Sequence, residues 1–267
     1  MLNAKSRIRS LLRLFDIAVL RFSSYQRLIE NVSAVQDLEF LKSVPGDQAA
    51  EVLRWFAHSK SQLRQDLFVL TQLNFQRNGY FVEFGATNGV DLSNTHLLEK
   101  SFGWTGILAE PAKCWQIPLG ASRTASIDFR CVWKDSQSVL GFNETDVAEL
   151  STIGSFQSAD IHGKLRQGGK SYEVKTVSLN DLLSEHGAPR VIDYLSIDTE
   201  GSEFDILKSF DFERHTFRVI TCEHNFTRAR EKIFELLSHK GYVRKYEALS
   251  KFDDWYIKPE TVHQTDS

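Results

Sequence analysis

Four carboxylates in this chain stand where an apolar run stops: Glu83 in Tyr80-Phe81-Val82-Glu83-Phe84-Gly85, Glu110 in Ile107-Leu108-Ala109-Glu110-Pro111, Asp198 after Tyr194-Leu195-Ser196-Ile197, and Glu223 after Val219-Ile220-Thr221-Cys222. A parallel strand delivers the residue that follows it to the carboxyl edge of a sheet, where α/β proteins bind ligands. Acids at such an edge accept hydrogen bonds from hydroxyls or attract cations. Gly85 and Gly89 lack side chains, so the turn after the first run lets backbone approach a ligand closely. A dinucleotide-binding GxGxxG starting at Gly85 would need glycine where Thr87 and Val90 stand, which disfavours a nicotinamide enzyme. An acid followed by GxxxG remains. With Glu110 at the end of the next run, poised to accept from two ribose hydroxyls, it indicates an adenosine-containing cofactor whose adenine needs a wall near Cys131, Val132 and Trp133.

The elements that must carry these residues follow from periodicity. Short apolar runs at 80–84, 106–109, 127–132, 192–197 and 218–222 alternate with amphipathic stretches, the pattern of repeated βα units and a mainly parallel sheet. Ser178 with Asp181, and Ser202 with Asp205, read as helix-start boxes. A helix through Ile233, Leu236 and Leu237 ends near Gly241, and 242–246 and 255–258 read as two terminal strands with Asp253 and Asp254 in the turn between them. Residues 134–169 show neither period and read as a long insertion over the site, where Asn143, Glu144, His162 and Arg166 could touch a substrate. Helical patterning, broken at Pro45 and Gly46, fills the chain up to His58. The expected organisation is an N-terminal helical region, 1–58, and an α/β domain, 59–267.

Several segments together resemble the FkbM family of methyltransferases: Glu83-Phe84-Gly85-Ala86-Thr87-Asn88-Gly89, Ser93-Asn94-Thr95, Gly103-Trp104-Thr105-Gly106 leading into Glu110-Pro111, and Ile197-Asp198-Thr199-Glu200-Gly201-Ser202-Glu203. Ser61-Gln62-Leu63-Arg64-Gln65-Asp66 is similar to the short polar motif that precedes this domain in relatives, and the resemblance runs from about Ser61 to Pro259. It implies a Rossmann-like methyltransferase fold with a mainly parallel seven-stranded sheet and a helical N-terminal extension. It also implies S-adenosyl-L-methionine as cofactor and O-methylation of a sugar, glycan or related natural product. In that setting Glu83, Gly85, Ala86, Asn88 and Gly89 fall to the methionine side of the cofactor, Glu110 to the ribose and Val132 to the adenine, with Gln65 and Asp66 as further contacts.

Methyl transfer to an alcohol needs two molecules aligned and a proton removed. Asp198 and Glu200 meet Glu223-His224-Asn225 at the ends of the fourth and fifth strands. Two routes stay open. His224, largely neutral near pH 7, is a candidate base beside Asp198 and Glu200. Alternatively, Asp198, Glu200 and Glu223 hold a divalent metal such as magnesium, which would acidify the alcohol. Glu203 is explained equally well by the dipole of the helix it starts.

Composition bounds the partners. With 32 basic and 35 acidic residues and a net charge of -3, the chain has no overall positive field, so nucleic acid is not an expected partner. Three scattered cysteines suggest neither a disulfide framework nor a zinc site, and a reducing cytoplasm suits them. The run 11–22 is interrupted by Arg13, Asp16 and Arg21 and is too polar for a transmembrane segment. As a helix it aligns Ile8, Leu11, Leu12, Phe15, Val19 and Phe22 beneath a basic face, a surface for its own domain, a second subunit in a homo-oligomer, or a membrane. The competing reading of the whole chain is a non-catalytic scaffold or glycan-binding subunit of the same fold.

Overall fold

Strands form where the sequence concentrates β-branched and aromatic residues. A computed structural model describes residues 22–145, 152–153 and 169–259. Helix α1 (Phe22–Ser43) is followed by α2 (Ala49–Trp55), α3 (Gln65–Gln72), β1 (Tyr80–Phe84), α4 (His96–Phe102), β2 (Thr105–Ala109) and α5 (Gln116–Ser122). Then come β3 (Ser126–Asp128), β4 (Cys131–Trp133), β5 (Val139–Glu144), β6 (Thr152–Ile153), β7 (Lys170–Ser178) and α6 (Leu179–Glu185). The chain continues through β8 (Val191–Ile197), α7 (Glu203–Ser209), β9 (Thr216–Glu223), α8 (Ala229–His239), β10 (Val243–Lys245), α9 (Glu247–Ser250) and β11 (Asp253–Ile257). Two compact units divide it, Met1–Lys42 and Ser43–Ser267. Apart from Phe22, the apolar stripe expected over 8–22 lies outside the described residues, as do His162 and Arg166. Among the described residues no helix is long and apolar enough to cross a membrane.

Seven strands pair in the order β10-β11-β9-β8-β1-β2-β3, and only β11 runs against its neighbours. Both faces of the central strands are covered, so they read as nearly continuous apolar runs: Phe81, Val82, Phe84, Ile192, Leu195, Ile197, Phe217, Val219 and Ile220 are all buried. The chain leaves β1 towards β2 on one side and returns to β8 on the other, so the order reverses at β1, and the crevice beyond the carboxyl ends of β1 and β8 is the expected ligand position. At the opposite edge Asp193 fastens the strand starts, accepting from the Tyr80 amide at 2.9 Å and from Arg218 at 3.0 Å.

The expected strand over 127–132 is two strands. β3 pairs with β2, whereas β4 leaves that sheet and pairs with β7. The break is at Phe129-Arg130, where the Arg130 guanidinium folds back onto Asp128 at 2.6 Å. The region read as an aperiodic insertion also contains structure: β5 pairs antiparallel with β7 from Val139 to Glu144, and β6 adds to β5. Its alternation is hidden because Gly141 interrupts it and the pairing partner lies a full loop away. Asp253 and Asp254, expected in a turn, open β11 and are buried; α9 makes the connection instead. Ser178 caps α6 as expected, accepting from the Asp181 amide. Ser202 does not cap α7: its hydroxyl donates to Thr199 Oγ1 at 2.7 Å, and the Glu203 carboxylate takes the turn amides of Thr199 and Gly201.

One buried cation holds the loop that follows β1. Arg123, its side chain fully buried, donates to Glu99 Oε2 at 2.8 Å, the Gly89 carbonyl at 3.0 Å, Ser93 Oγ at 3.0 Å and Thr95 Oγ1 at 2.8 Å. It also lies 3.7 Å from Glu83 Oε2. Removing one partner of a buried ion network strands the others in a medium that penalises lone charge. Arg123→Met is therefore expected to lower stability by about 3–5 kcal/mol in urea unfolding; a loss under about 1 kcal/mol, typical of surface pairs, would contradict the clamp.

Candidate functional site

The crevice is a cavity of about 980 Å³, counting its open mouth. Gly85, Glu83, Glu110, Gln65, Val132, Asp198 and Glu200 all line it, so the structure brings together much of what the sequence nominated. Five carboxylates, Glu83, Glu110, Asp198, Glu200 and Asp253, face it, and among the described residues no lysine or arginine does.

Gly85 is fixed by the strands themselves. It has φ +75, and a Cβ there would sit 2.1 Å from the Asp198 carbonyl oxygen, so only glycine lets the ends of β1 and β8 close on each other. Glu83 serves the same edge: its carboxylate accepts from the Asn94 amide at 2.7 Å, Thr95 Oγ1 at 2.5 Å and Ser93 Oγ at 3.1 Å. Burial raises its pKa, and Arg123 and these donors pull it back.

Glu110 differs. Each oxygen takes one backbone amide, Thr87 at 2.9 Å and Ala112 at 2.8 Å. A carboxylate has about four acceptor positions, so about two remain for donors in the cavity. Burial, assisted by the charge of Asp198, pushes it up to about 7. Behind it Cys131, Val132 and Phe142 line an apolar side.

Opposite, Asp198, Glu200 and Glu223 each present an oxygen within 4.8 Å of the others. Glu200 sits in the left-handed region at φ 59 and accepts from Asn225 Nδ2 at 3.2 Å. Burial and the Asp198 and Glu200 charges hold Glu223 well above the usual carboxylate range. Asp253, oriented by Gln65 Nε2 at 2.8 Å, is pushed up to about 7, mainly by burial.

Other nominated residues stand elsewhere. His224 does not line the cavity; its ring is buried, Nδ1 accepts from the Phe226 amide at 3.0 Å, and Nε2 lies 3.8 Å from Asp254. The expected base is thus turned away from the crevice, because the chain reverses just past the end of β9. Asp66 is buried against Ser59 and Ser61. Ala86 is buried outside the lining; Asn88 caps its own turn through the amides of Val90 and Asp91. A Cβ on Gly89 would meet Leu119 and Arg123 at 2.6 Å, so this glycine serves packing. Trp133 belongs to a small core with Phe142 and Val174. Phe142, Leu92, Phe252 and Asp253 line the cavity without having been nominated. For Asp253 a signal existed: an acid leading into Trp255-Tyr256-Ile257 is out of place in a strand unless it is used.

Residues 83–246 match the family model described as the methyltransferase FkbM domain. Among curated proteins none matches the chain in sequence. Among solved structures, the chain is similar to the precorrin-6y C5,15-methyltransferase of Geobacter metallireducens GS-15, with 11% identity, 72% of this chain and 85% of that one covered, and a TM-score of 0.39. It is likewise similar to a TehB-like SAM-dependent methyltransferase of Corynebacterium glutamicum, at 8% identity, 80% and 97% coverage and a TM-score of 0.38.

Carboxylates whose folded pKa is raised stabilise the fold below their unfolded pKa, and that contribution is lost as pH rises through the folded value. For Glu110 and Asp253 the loss runs from about pH 4, the unfolded value, to about pH 7, the folded one. Without ligand and with chelator present, these groups are expected to lower the melting temperature as pH rises from about 4.5 to about 7.5, and Glu110→Gln to flatten that fall. A melting temperature that rises over this window would be incompatible with a cavity of buried acids.

Proposed function

The chain belongs to the FkbM methyltransferase family, and from that premise we propose that it transfers the methyl group of S-adenosylmethionine to a hydroxyl oxygen of a sugar, glycan or related natural product. The observation that carries the donor half of this reading is Glu110: a buried carboxylate at the end of β2, half satisfied by backbone and open to the cavity on its remaining positions. Two ribose hydroxyls are donors of the right number and kind. The apolar side made by Cys131, Val132 and Phe142 suits a purine, and a cavity lined by five carboxylates and, among the described residues, by no basic one suits a cationic molecule.

The bound donor supplies an electrophilic methyl group on a sulfonium sulfur. The chain's residues supply alignment and proton removal. Gly85 and the turn to Gly89 fix the backbone where the amino-acid end of the donor would lie, and Glu83 with Arg123 hold that turn still. Asp198, at the end of β8, is the carboxylate best set to receive the acceptor's hydroxyl proton on an Oδ atom, and Asn225 steadies Glu200 beside it. Aligning two reactants and withdrawing a proton are together worth several orders of magnitude in rate. Oxygen as the receiving atom rests on these acids: an alcohol needs a proton acceptor, which they provide.

Two outcomes test the reading. Glu110→Gln is expected to weaken S-adenosylmethionine binding by about 1.5–3 kcal/mol, roughly 10- to 150-fold in Kd, in titration calorimetry; an unchanged Kd would remove Glu110 from the ribose. With labelled donor and fractionated glycans or glycolipids, Asp198→Asn is expected to lower methyl incorporation by about 10²–10⁴-fold with donor affinity retained. Label appearing on nitrogen or carbon in the product would overturn the hydroxyl assignment.

A further inference from the structure

Charge in the crevice is unbalanced in one place. Glu83 has Arg123, and Glu110 and Asp253 have backbone or amide donors. Glu223 has none of these: it is the last residue of β9, 8% exposed, and among the described residues no side chain or amide donates to its carboxylate. What faces it is more negative charge, from Asp198, Glu200, Glu203 and Asp253. A carboxylate taken out of water without a hydrogen bond or counter-ion is costly, and proteins keep such groups where a ligand completes them.

We propose that Asp198, Glu200 and Glu223 form a binding site for one hard divalent cation, which holds the acceptor's hydroxyl oxygen in the crevice. Their nearest oxygens all fall within 4.8 Å of one another. Opposite ligands of a cation with metal–oxygen distances of ~2.1–2.4 Å lie ~4.2–4.8 Å apart, so the three fit one coordination shell. All three are oxygen donors, the set preferred by magnesium, manganese and calcium, and among the described residues neither a thiolate nor an imidazole joins them. The donors come from elements that cannot drift: Asp198 and Glu223 end the adjacent parallel strands β8 and β9. Glu200 is turned inward by its left-handed backbone and held by Asn225.

Three protein oxygens leave about three positions of a six-coordinate ion open. Asp198 and Glu200 line the methyl-transfer cavity, so these positions open towards it. A hydroxyl bound there would lose its proton more readily, by the same effect that lowers the pKa of metal-bound water, and would pass it to the Asp198 oxygen that does not hold the cation. An acceptor presenting two adjacent hydroxyls, as sugars do, can fill two positions at once. The cation's role in acceptor binding rests on the hydroxyl methyltransferase reading above; the cation site itself does not.

The test uses the full chain, stripped with chelator, and manganese(II) chloride as probe, with free ion followed by electron paramagnetic resonance. Wild type is expected to take up one equivalent, with magnesium competing, and its melting temperature to rise on metal addition. Glu223→Gln is expected to weaken manganese uptake at least about tenfold. Without metal the same variant should melt higher than wild type, since a buried carboxylate that no donor satisfies is gone. Calorimetry with S-adenosylmethionine on both proteins separates the two readings. Donor binding without manganese uptake sinks the cation site and leaves the methyltransferase standing; manganese uptake without donor binding does the reverse. Equal manganese affinity in wild type and Glu223→Gln would also overturn the assignment.

Discussion

The constraint on which the rest of this structure depends is the burial of acids at the point where the sheet changes direction. β1, β2 and β9 each end in or beside a buried carboxylate, Glu83, Glu110 and Glu223, and past the end of β8 Glu200 is buried beside the more exposed Asp198. Burial alone makes each of them a liability. The chain resolves them differently, and the differences separate scaffold from site. Glu83 is saturated by Ser93, Asn94, Thr95 and Arg123, so it organises a loop. Glu203 is consumed by its own turn. Glu110 keeps unused acceptor positions, and Glu223 keeps all of its own.

This distinction was only partly legible in the sequence. Acid, strand and glycine in register located the crevice, because a parallel strand must end at the carboxyl edge and β1 is apolar enough to be central. The identity of the neighbouring strands was equally plain from their runs of valine, isoleucine and phenylalanine. What a linear reading could not give is which face of a strand end a side chain takes. His224 and Glu223 are adjacent in sequence, yet Glu223 lies by Asp198 and His224, in the turn just past the strand, lies by Asp254.

Contributions from afar were the least legible. Arg123 follows an unremarkable helix, yet ties Gly89, Ser93, Thr95, Glu83 and Glu99 into one unit. Asp253 belongs to an antiparallel strand added late in the chain and reaches the cavity only because its register sets it opposite Glu223. Phe142 comes from a second sheet whose strands β5 and β7 are separated in sequence by the polar, glycine-bearing stretch 145–169. Periodicity detects elements that bury a face by themselves; it is weak for strands such as β5 that gain their pattern from a partner.

Backbone strain follows the same map. Thr87, Glu200, Asn225 and Phe226 have φ of 45, 59, 41 and 55, and they follow the ends of β1, β8 and β9. A side chain in that region costs roughly 1–2 kcal/mol, and asparagine alone among these residue types adopts it readily. Glycine would relieve the cost at any of them. At Glu200 it would also remove the carboxylate that Asn225 holds and that shares the crevice with Asp198. Strain there accompanies a buried side chain held by a hydrogen bond from Asn225. With the proposed role for Glu200, stability and chemistry pull against each other at the same residue, as backbone outliers do where they cluster at functional sites.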